Sequence, residues 1–232
     1  MNVVLCAMFK NATGYIPRYN SIVRMFRDAN HLSGNTLRLV FAEGDSQDNT
    51  WDHLHVMCQD LGVPHTIIKR EHGKSWSGNP DWPVRWEALS FVSNSLLCEV
   101  TPDDDVVLYI ESDLIWIPYT ALRLIDHLDR VDAVSPGCYT AHGAFYDIWG
   151  FIRNGTCFNP FPPYHHEIEG HGLPQGDIVK IDASGSAWCM RGDVARRVRF
   201  GDGDWHSRGL GKSIYRNGYQ LWYDPNLYVI HP

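Results

Sequence analysis

The sequence predicts an α/β fold: a largely parallel sheet covered by helices on both faces. Short apolar runs of strand length alternate with helix-length segments through the first half of the chain, the pattern of successive βα units. One run, 106–110 (VVLYI), is apolar throughout, as a strand buried on both faces is. Hydrophobic residues make up 44% of the 232, with nine tryptophans among them. That is enough to fill a core and argues against a disordered chain.

Residues 3–9 (VVLCAMF) read as the first strand, and Ile16, Val23 and Phe26 give 16–30 a helical period. A second strand, 36–43 (TLRLVFAE), precedes a helix with Ser46 or Asp48 as N-cap and Gly62 just past its end. Residues 65–71 form a third strand, and 72–83 (HGKSWSGNPDWP) are a loop punctuated by Gly and Pro. An amphipathic helix over 84–100 leads to the fourth strand, 105–113 (DVVLYIESD). Beyond it the pattern loosens. Residues 119–131 are helical, 132–140 read as strand then turn, and 143–152 as another strand. Residues 154–180, rich in Gly, Pro, His and aromatics, form a long functional loop. Residues 183–198 read as strand then helix, 207–219 as a helix stopped by Gly218, and 221–232 close the chain. No repeat, linker or low-complexity tract interrupts it, so a single domain over 1–232 is expected.

The formal net charge is −7 and no run of five or six like charges occurs. Wholesale binding to nucleic-acid phosphates gains no support from that balance, although a local basic groove stays open. The six cysteines, at 6, 58, 98, 138, 157 and 189, include no CxxC pair. They read as reduced, mostly buried thiols of a cytoplasmic protein. No stretch approaches 18 apolar residues and no leader-like segment opens the chain, so a soluble, untargeted protein is expected. Asn11 and Asn154 begin glycosylation sequons, read as chance.

The most apolar strand ends abruptly in Glu111-Ser112-Asp113. Ionised groups there are costly to desolvate unless a metal ion or a basic side chain meets them, or the segment is an exposed turn. In open parallel sheets ligands bind beyond the carboxyl ends of the strands. Residues i and i+2 can point the same way, and two convergent carboxylates suit a hard divalent cation such as Mn²⁺ or Mg²⁺. The second strand also runs into acids, in AEGDSQDNT, where Glu43, Asp45 and Asp48 are candidates to hold a base or sugar. The same residues suit a capped helix N-terminus.

Taken in order, EGDSQDNT, RWEALSFVSN and YIESDLIWIP resemble glycosyltransferases of the GT-A fold, family-2-like, over most of the chain. Ser46, Asp48 and Thr50 match the acid-rich turn of that family, with Glu43 in place of the acid that contacts the base and Gly44 replacing a second acid. Glu111-Ser-Asp113 stands where the family has Asp-x-Asp. The ESD…P context is also similar, less specifically, to mannan-polymerase-type mannosyltransferases. The resemblance implies one GT-A-type domain: a mostly parallel central sheet flanked by helices, with a smaller antiparallel acceptor-side part. Residues 1–113 would bind the nucleotide-sugar and 114–232 the acceptor. It further implies metal ligands Glu111, Asp113 and His231, an acceptor-side segment with Ser186 and Trp188, and Asp204 as catalytic base of an inverting transfer, with Asp202 in reserve. Arg85 or Lys74 would assist the phosphates.

The expected activity is metal-dependent transfer from a nucleotide-diphosphate sugar to an acceptor hydroxyl on a glycan, a protein or a hydroxylated DNA base. Sugar nucleotidyl transfer is an alternative, weakened by the single glycine in CAMFKNATGYIPR; a non-catalytic carbohydrate-binding protein is another. For DNA, Arg196, Arg197, Arg199, Arg208, Lys212 and Arg216 could form a basic face, but the acidic balance favours a plain charged helix surface. HHEIEGH spaces His166 and His171 five apart, not the four a helical zinc-protease motif needs. RGLGKS lacks the first glycine and the delivering strand of a P-loop. Trp149, Phe151, Phe158, Phe161, Tyr164 and Trp188 could stack on a sugar or base, or fill the core.

Overall fold

The computed structural model describes residues 1–73, 82–147, 150–157 and 178–232. The chain begins β1 (Asn2–Phe9), α1 (Ile16–Leu32), β2 (Thr36–Glu43), α2 (Thr50–Leu61), β3 (His65–Lys69), α3 (Trp82–Cys98) and β4 (Val106–Ile110). It continues through α4 (Pro118–His127), β5 (Ala133–Thr140), the short β6 (Ile152–Arg153) and β7 (Thr156–Cys157), and β8 (Val179–Ile181). It closes with β9 (Ala187–Arg191), α5 (Gly192–Ala195), α6 (His206–Arg216) and β10 (Leu221–His231).

Eight strands make one sheet in the order β3-β2-β1-β4-β9-β5-β10-β8. β3, β2, β1 and β4 are parallel; β9 runs antiparallel between β4 and β5, and β8 antiparallel beside β10. The expected architecture, a mostly parallel sheet with a smaller antiparallel part, is the one observed. Its alternation is legible strand by strand. Val3, Leu5, Ala7 and Phe9 of β1 face one core with α1, α2 and α4. Val4 and Cys6 face a second core with α3, α5 and α6. Two covered faces explain why these strands are apolar along their whole length.

Several local expectations are corrected. α2 starts at Thr50 with Asn49 as N-cap and no side-chain cap from it; Ser46 is drawn instead to Asn11 N–H, and Asp48, one residue before the cap, accepts from Thr50 N–H at the head of the helix and from Thr13 N–H. Gly62 does end that helix, in the left-handed conformation at φ 65°. The fourth strand stops at Ile110, so Glu111 to Asp113 leave it as a turn. Among the described residues of 143–152 no continuous strand forms: Phe145 makes one bridge to Tyr139 and only Ile152 enters β6. β6 and β7 are joined by Asn154 and Gly155, both at positive φ, a primed hairpin turn. RGLGKS lies inside α6. Of the cysteines with described side chains, four are buried and Cys98 is exposed, all unpaired. Among the described residues, no helix is long and apolar enough to cross a membrane.

β10 pairs with β5 in two stretches separated by a bulge: Asp224 is opposite Pro136 and Tyr228 is opposite Gly137. His127 Nε2 meets Asp224 Oδ2 at 2.7 Å and pins the start of that bulge. At the opposite end of the sheet Asp104 accepts hydrogen bonds from Arg38 Nη2 (2.6 Å), Thr101 N (2.6 Å) and Thr101 Oγ1 (2.8 Å). Burial would raise the Asp104 pKa, but these donors and the arginine charge hold it below the usual carboxylate range. Asp104→Ala strands a largely buried guanidinium and two donors, and should cost about 2–3 kcal/mol in denaturant titrations at neutral pH. Because the folded-state pKa is depressed, the wild-type advantage is complete above the unfolded carboxylate pKa and disappears as pH falls through the folded one.

Candidate active site

The Glu111-Ser112-Asp113 turn is fixed from several sides. Glu111 N–H donates to Ser186 O (3.1 Å), which ties the turn to the segment before β9. Ser112 Oγ donates to Met8 O (2.6 Å) on β1, and Arg18 Nη2 of α1 to Asp113 O (2.6 Å). Ile115 and Ile230 exchange two backbone hydrogen bonds of 2.8 Å. That bridge brings the end of β10 to the turn and sets His231 Nε2 3.5 Å from Asp113 Oδ2. Tyr146 lies flat on the His231 ring, centroids 4.0 Å apart and planes at 10°.

Two chambers open here. The first, about 370 Å³, is bounded by the end of β1, Arg85, Glu111, Asp113, Tyr146 and His231. The second, about 510 Å³, shares Arg85, Glu111 and Tyr146 and adds Asp147, Ser186, His206 and Arg208. Glu111 therefore sits on the wall common to both, with Asp113 in the first.

Their electrostatics are strained. Burial, with the charges of Asp113 and Asp147, pushes the Glu111 pKa well above the usual carboxylate range, against opposing contributions from Arg85 and Ser186. Burial pushes Asp147 up to about 6, although Ser186 N–H (3.1 Å) and Gly185 N–H pull the other way. Gly185 is required at this point, since a Cβ there would overlap the Asp147 carboxylate. The hydrogen bond with Asp113 raises the His231 pKa despite partial burial.

The three acids of the second strand end serve the scaffold. Glu43 is buried and accepts from Ser46 N–H (2.8 Å). Asp45, at φ 57°, accepts from His72 N–H (2.9 Å) and Gly73 N–H (3.0 Å). Asp48 accepts from Thr13 N–H and Thr50 N–H, both at 3.1 Å, and Thr50 Oγ1 accepts from Ala12 N–H (2.6 Å). Asn11 joins the same lattice, accepting from Gln47 N–H (2.8 Å). This turn clamps the β1–α1 loop, which carries Lys10 to the first chamber. Burial lowers the Lys10 pKa while Asp45 and Glu43 oppose that shift.

The structure thus brings together Glu111, Asp113, His231, Arg85 and Ser186. It does not bring Asp204 to them. Asp204, with a side chain 12% exposed, lies 2.7 Å from Lys212 Nζ and 3.5 Å from Arg208 Nε, beside a third cavity. Burial would raise its pKa, but Lys212, Trp205 N–H and Arg208 hold it low. Asp202 pairs with Arg216 at 2.7 Å. Trp188 is not an acceptor contact: strand alternation turns it into the second core, fully buried against Tyr109 and Phe200, where Phe151 is buried too. Lys74, Trp149, Phe158, Phe161, Tyr164, His166 and His171 lie outside the described residues. Sequence reasoning missed Lys10, Tyr146 and Asp147, which stand on irregular segments. The one available signal was the strand end that carries Lys10.

Among the described residues no three His, Cys, Asp or Glu side chains form a ready-made metal cage. The donor chemistry nevertheless fits a hard divalent cation. Asp113 Oδ1 is withdrawn from solvent without a hydrogen-bond partner, and the charges of Asp113 and Asp147 add to the cost of ionising Glu111. A cation held by Glu111, Asp113 and His231 would relieve both.

Because Asp113 is the first cause of the raised His231 pKa, Asp113→Asn should bring the His231 titration down. An NMR pH series on the metal-free protein reads this directly, and an unchanged midpoint would refute the pairing.

No family model and no curated protein sequence matches the chain. Solved structures do. The mannosyltransferase PcManGT from Pyrobaculum calidifontis, in complex with GDP-Man and Mn²⁺, superposes with TM-score 0.60 at 14% identity over 98% of this chain and 56% of that one. TarS 1–349 of S. aureus superposes with TM-score 0.59 at 12% identity over 99% and 60%. The nucleoside-diphosphate-sugar pyrophosphorylase from Vibrio cholerae RC9 follows with TM-score 0.52 at 9% identity over 98% and 92%. The chain spans less than two thirds of the first two. Sheet order, strand directions and these superpositions agree on the architecture: the chain has the GT-A fold of nucleotide-sugar glycosyltransferases.

Proposed function

We propose that this chain is a metal-dependent, inverting glycosyltransferase that moves a sugar from a nucleoside-diphosphate sugar to an acceptor hydroxyl. One observation carries the reading. Asp113 and His231 stand together in one chamber, Asp147 in the next, and Glu111, Arg85 and Tyr146 belong to both. That arrangement suits a diphosphate on one side of a shared wall and an acceptor on the other. The first chamber is formed mainly by residues 8–113 and the second draws on residues beyond 114, in keeping with a donor half and an acceptor half.

Glu111, Asp113 and His231 would hold Mn²⁺ or Mg²⁺, which as a Lewis acid supplies charge neutralisation on the departing diphosphate. Arg85 and Lys10 face the same chamber and add positive charge for the phosphates. Glu43, Asp45 and Asp48 act by fixing the loop that presents Lys10 and Asn11, with Glu43 the nearest match to a base contact.

Asp147 is the better candidate for the base than Asp204. Its carboxylate is aimed by two backbone N–H groups, its pKa of about 6 suits proton acceptance near neutrality, and it borders the chamber with Glu111. Asp204 is neutralised by Lys212 and Arg208. His206 lines the chamber as well, but burial pushes its pKa down to about 3 and its Nε2 is engaged with Ser93 Oγ at 2.9 Å. In the transfer the acceptor oxygen bonds to the anomeric carbon as the bond to the diphosphate oxygen breaks. The acceptor proton passes to Asp147, and the bonding pair leaves with the nucleoside diphosphate.

The pyrophosphorylase likeness keeps nucleotidyl transfer as a second reading, which the product decides. A donor panel with and without Mn²⁺ should give slow metal-dependent release of one nucleoside diphosphate. Release of pyrophosphate from a nucleoside triphosphate and sugar phosphate would support the second reading instead. Saturating metal plus the correct donor, at about 100 times its dissociation constant, should add about 2.7 kcal/mol of stability. No thermal response to any donor would reject both. Asp147→Asn should lower kcat by about 10²–10⁴-fold with donor binding retained, whereas Asp204→Asn should keep turnover within about tenfold. In the wild type kcat/KM should rise with pH through about 6 as Asp147 loses its proton. The reverse ranking of the two variants would restore Asp204 as the base.

A further inference from the structure

The third cavity, about 540 Å³, has a charge opposite to that of the molecule. Lys180, Arg208, Lys212 and Arg216 border it against two carboxylates, Asp182 and Asp204, in a chain of net charge −7. The carboxylates are already committed. Asp182 Oδ2 accepts from Gly155 N–H (2.7 Å), and Asp204 is divided between Lys212 and Arg208. Arg216 pairs with Asp202 at the rim. Arg208, Lys212 and Arg216 recur every four residues and so share one face of α6.

Arg208 links this cavity to the reaction cleft, because it also borders the chamber that holds Glu111 and Asp147. Its guanidinium packs over Trp205, 4.9 Å from the ring centroid. Its Nε is withdrawn from solvent and makes no hydrogen bond, despite lying 3.5 Å from Asp204. A planar donor fork held in place with an unsatisfied N–H suits a tetrahedral oxyanion. Tyr215, 81% exposed, and Tyr219 stand beside the cations. The basic face expected from the sequence is divided by the fold. Arg196 and Arg199 are bonded to the carbonyls of Thr101, Val198 and Arg196, away from this cavity.

We propose that this cavity binds a phosphate group carried by the acceptor. The acceptor hydroxyl would lie in the neighbouring chamber and its phosphate on Arg208 and Lys212, so the acceptor is a phosphorylated or phosphodiester-linked hydroxyl compound. The inference rests on the glycosyl-transfer reading for the identity of that hydroxyl, but not for the anion site itself. In the free protein Asp204 occupies the place of the anion as an internal counter-charge, and the phosphate displaces it from one or both cations.

The experiment is calorimetric titration of the full chain with inorganic phosphate in the presence of EDTA. Saturable binding is expected, weakened at least about tenfold in Lys212→Glu/Arg216→Glu and tightened in Asp204→Asn, which removes the competing carboxylate. Donor binding with Mn²⁺ should be the same in all three proteins, which also reports that the variants are folded. Equal phosphate binding by wild type and the double variant, or no saturable binding, would overturn the proposal. Weaker binding in Asp204→Asn would do so as well.

Transfer assays then separate the sources. If the phosphate belongs to a small sugar, glucose 6-phosphate should be used in preference to glucose, and the double variant should raise its KM with kcat preserved. If it belongs to a strand, a single-stranded oligonucleotide carrying hydroxymethylated bases should be the substrate, with affinity falling steeply as salt rises. Neutral glucose used equally well by wild type and double variant, with neither phosphorylated substrate preferred, refutes the acceptor assignment. Phosphate binding without donor binding would instead reject the glycosyltransferase reading and leave the anion site standing.

Discussion

The architecture around the cleft is organised by a repulsion. Beside burial, the charges of Asp113 and Asp147 make ionisation of Glu111 more costly. The surrounding elements hold the three side chains in place. Ser186 and Gly185 direct backbone N–H groups at Asp147, and Arg85 faces Glu111. Ser112 is anchored on β1, Arg18 takes the Asp113 carbonyl, and the end of β10 is tied back through Ile115. The result is a cluster of acids whose charge the surrounding groups offset only in part.

The same logic explains the acid-rich turn after β2. Its carboxylates are spent on backbone N–H groups of the β1–α1 and post-β3 loops. Three loops from neighbouring parallel strands are thereby locked edge to edge above the sheet. Precision in the first chamber comes from this lattice, and precision in the second from the antiparallel insertion of β9 between β4 and β5.

Much of the fold was legible in the sequence because local periodicity and burial agree there. Val3 to Phe9 and Val106 to Ile110 read as strands covered on both faces, and Gly62 as a helix terminator, for reasons confined to their own neighbourhoods. Glu111 and Asp113 were legible as a break in an apolar run. Asp147 was not, since it stands on an irregular segment and meets Glu111 only through the adjacency of β4, β9 and β5. Asp204 looked free within GDGDWH, but the fold places Arg208 and Lys212 against it, at spacings of four and eight that a helical face could have suggested. Trp188 looked like a stacking residue because a strand's alternation does not declare which face is the interior.

The excursion in β10 between Asp224 and Tyr228 changes the core that the strand serves. Three residues, 225–227, intervene where β5 advances by one. The excursion is not slack: Asn226 donates twice to Asp224 Oδ1 and Leu227 is buried in the first core. Side chains along an unbroken strand alternate with a period of two, so Tyr223 and Val229, six residues apart, would share a face. The excursion resets that alternation: Tyr223 packs in the second core and Val229 in the first. The strand therefore serves both cores in turn, and the face of each residue after the excursion follows its partner on β5 rather than its distance from Asp224.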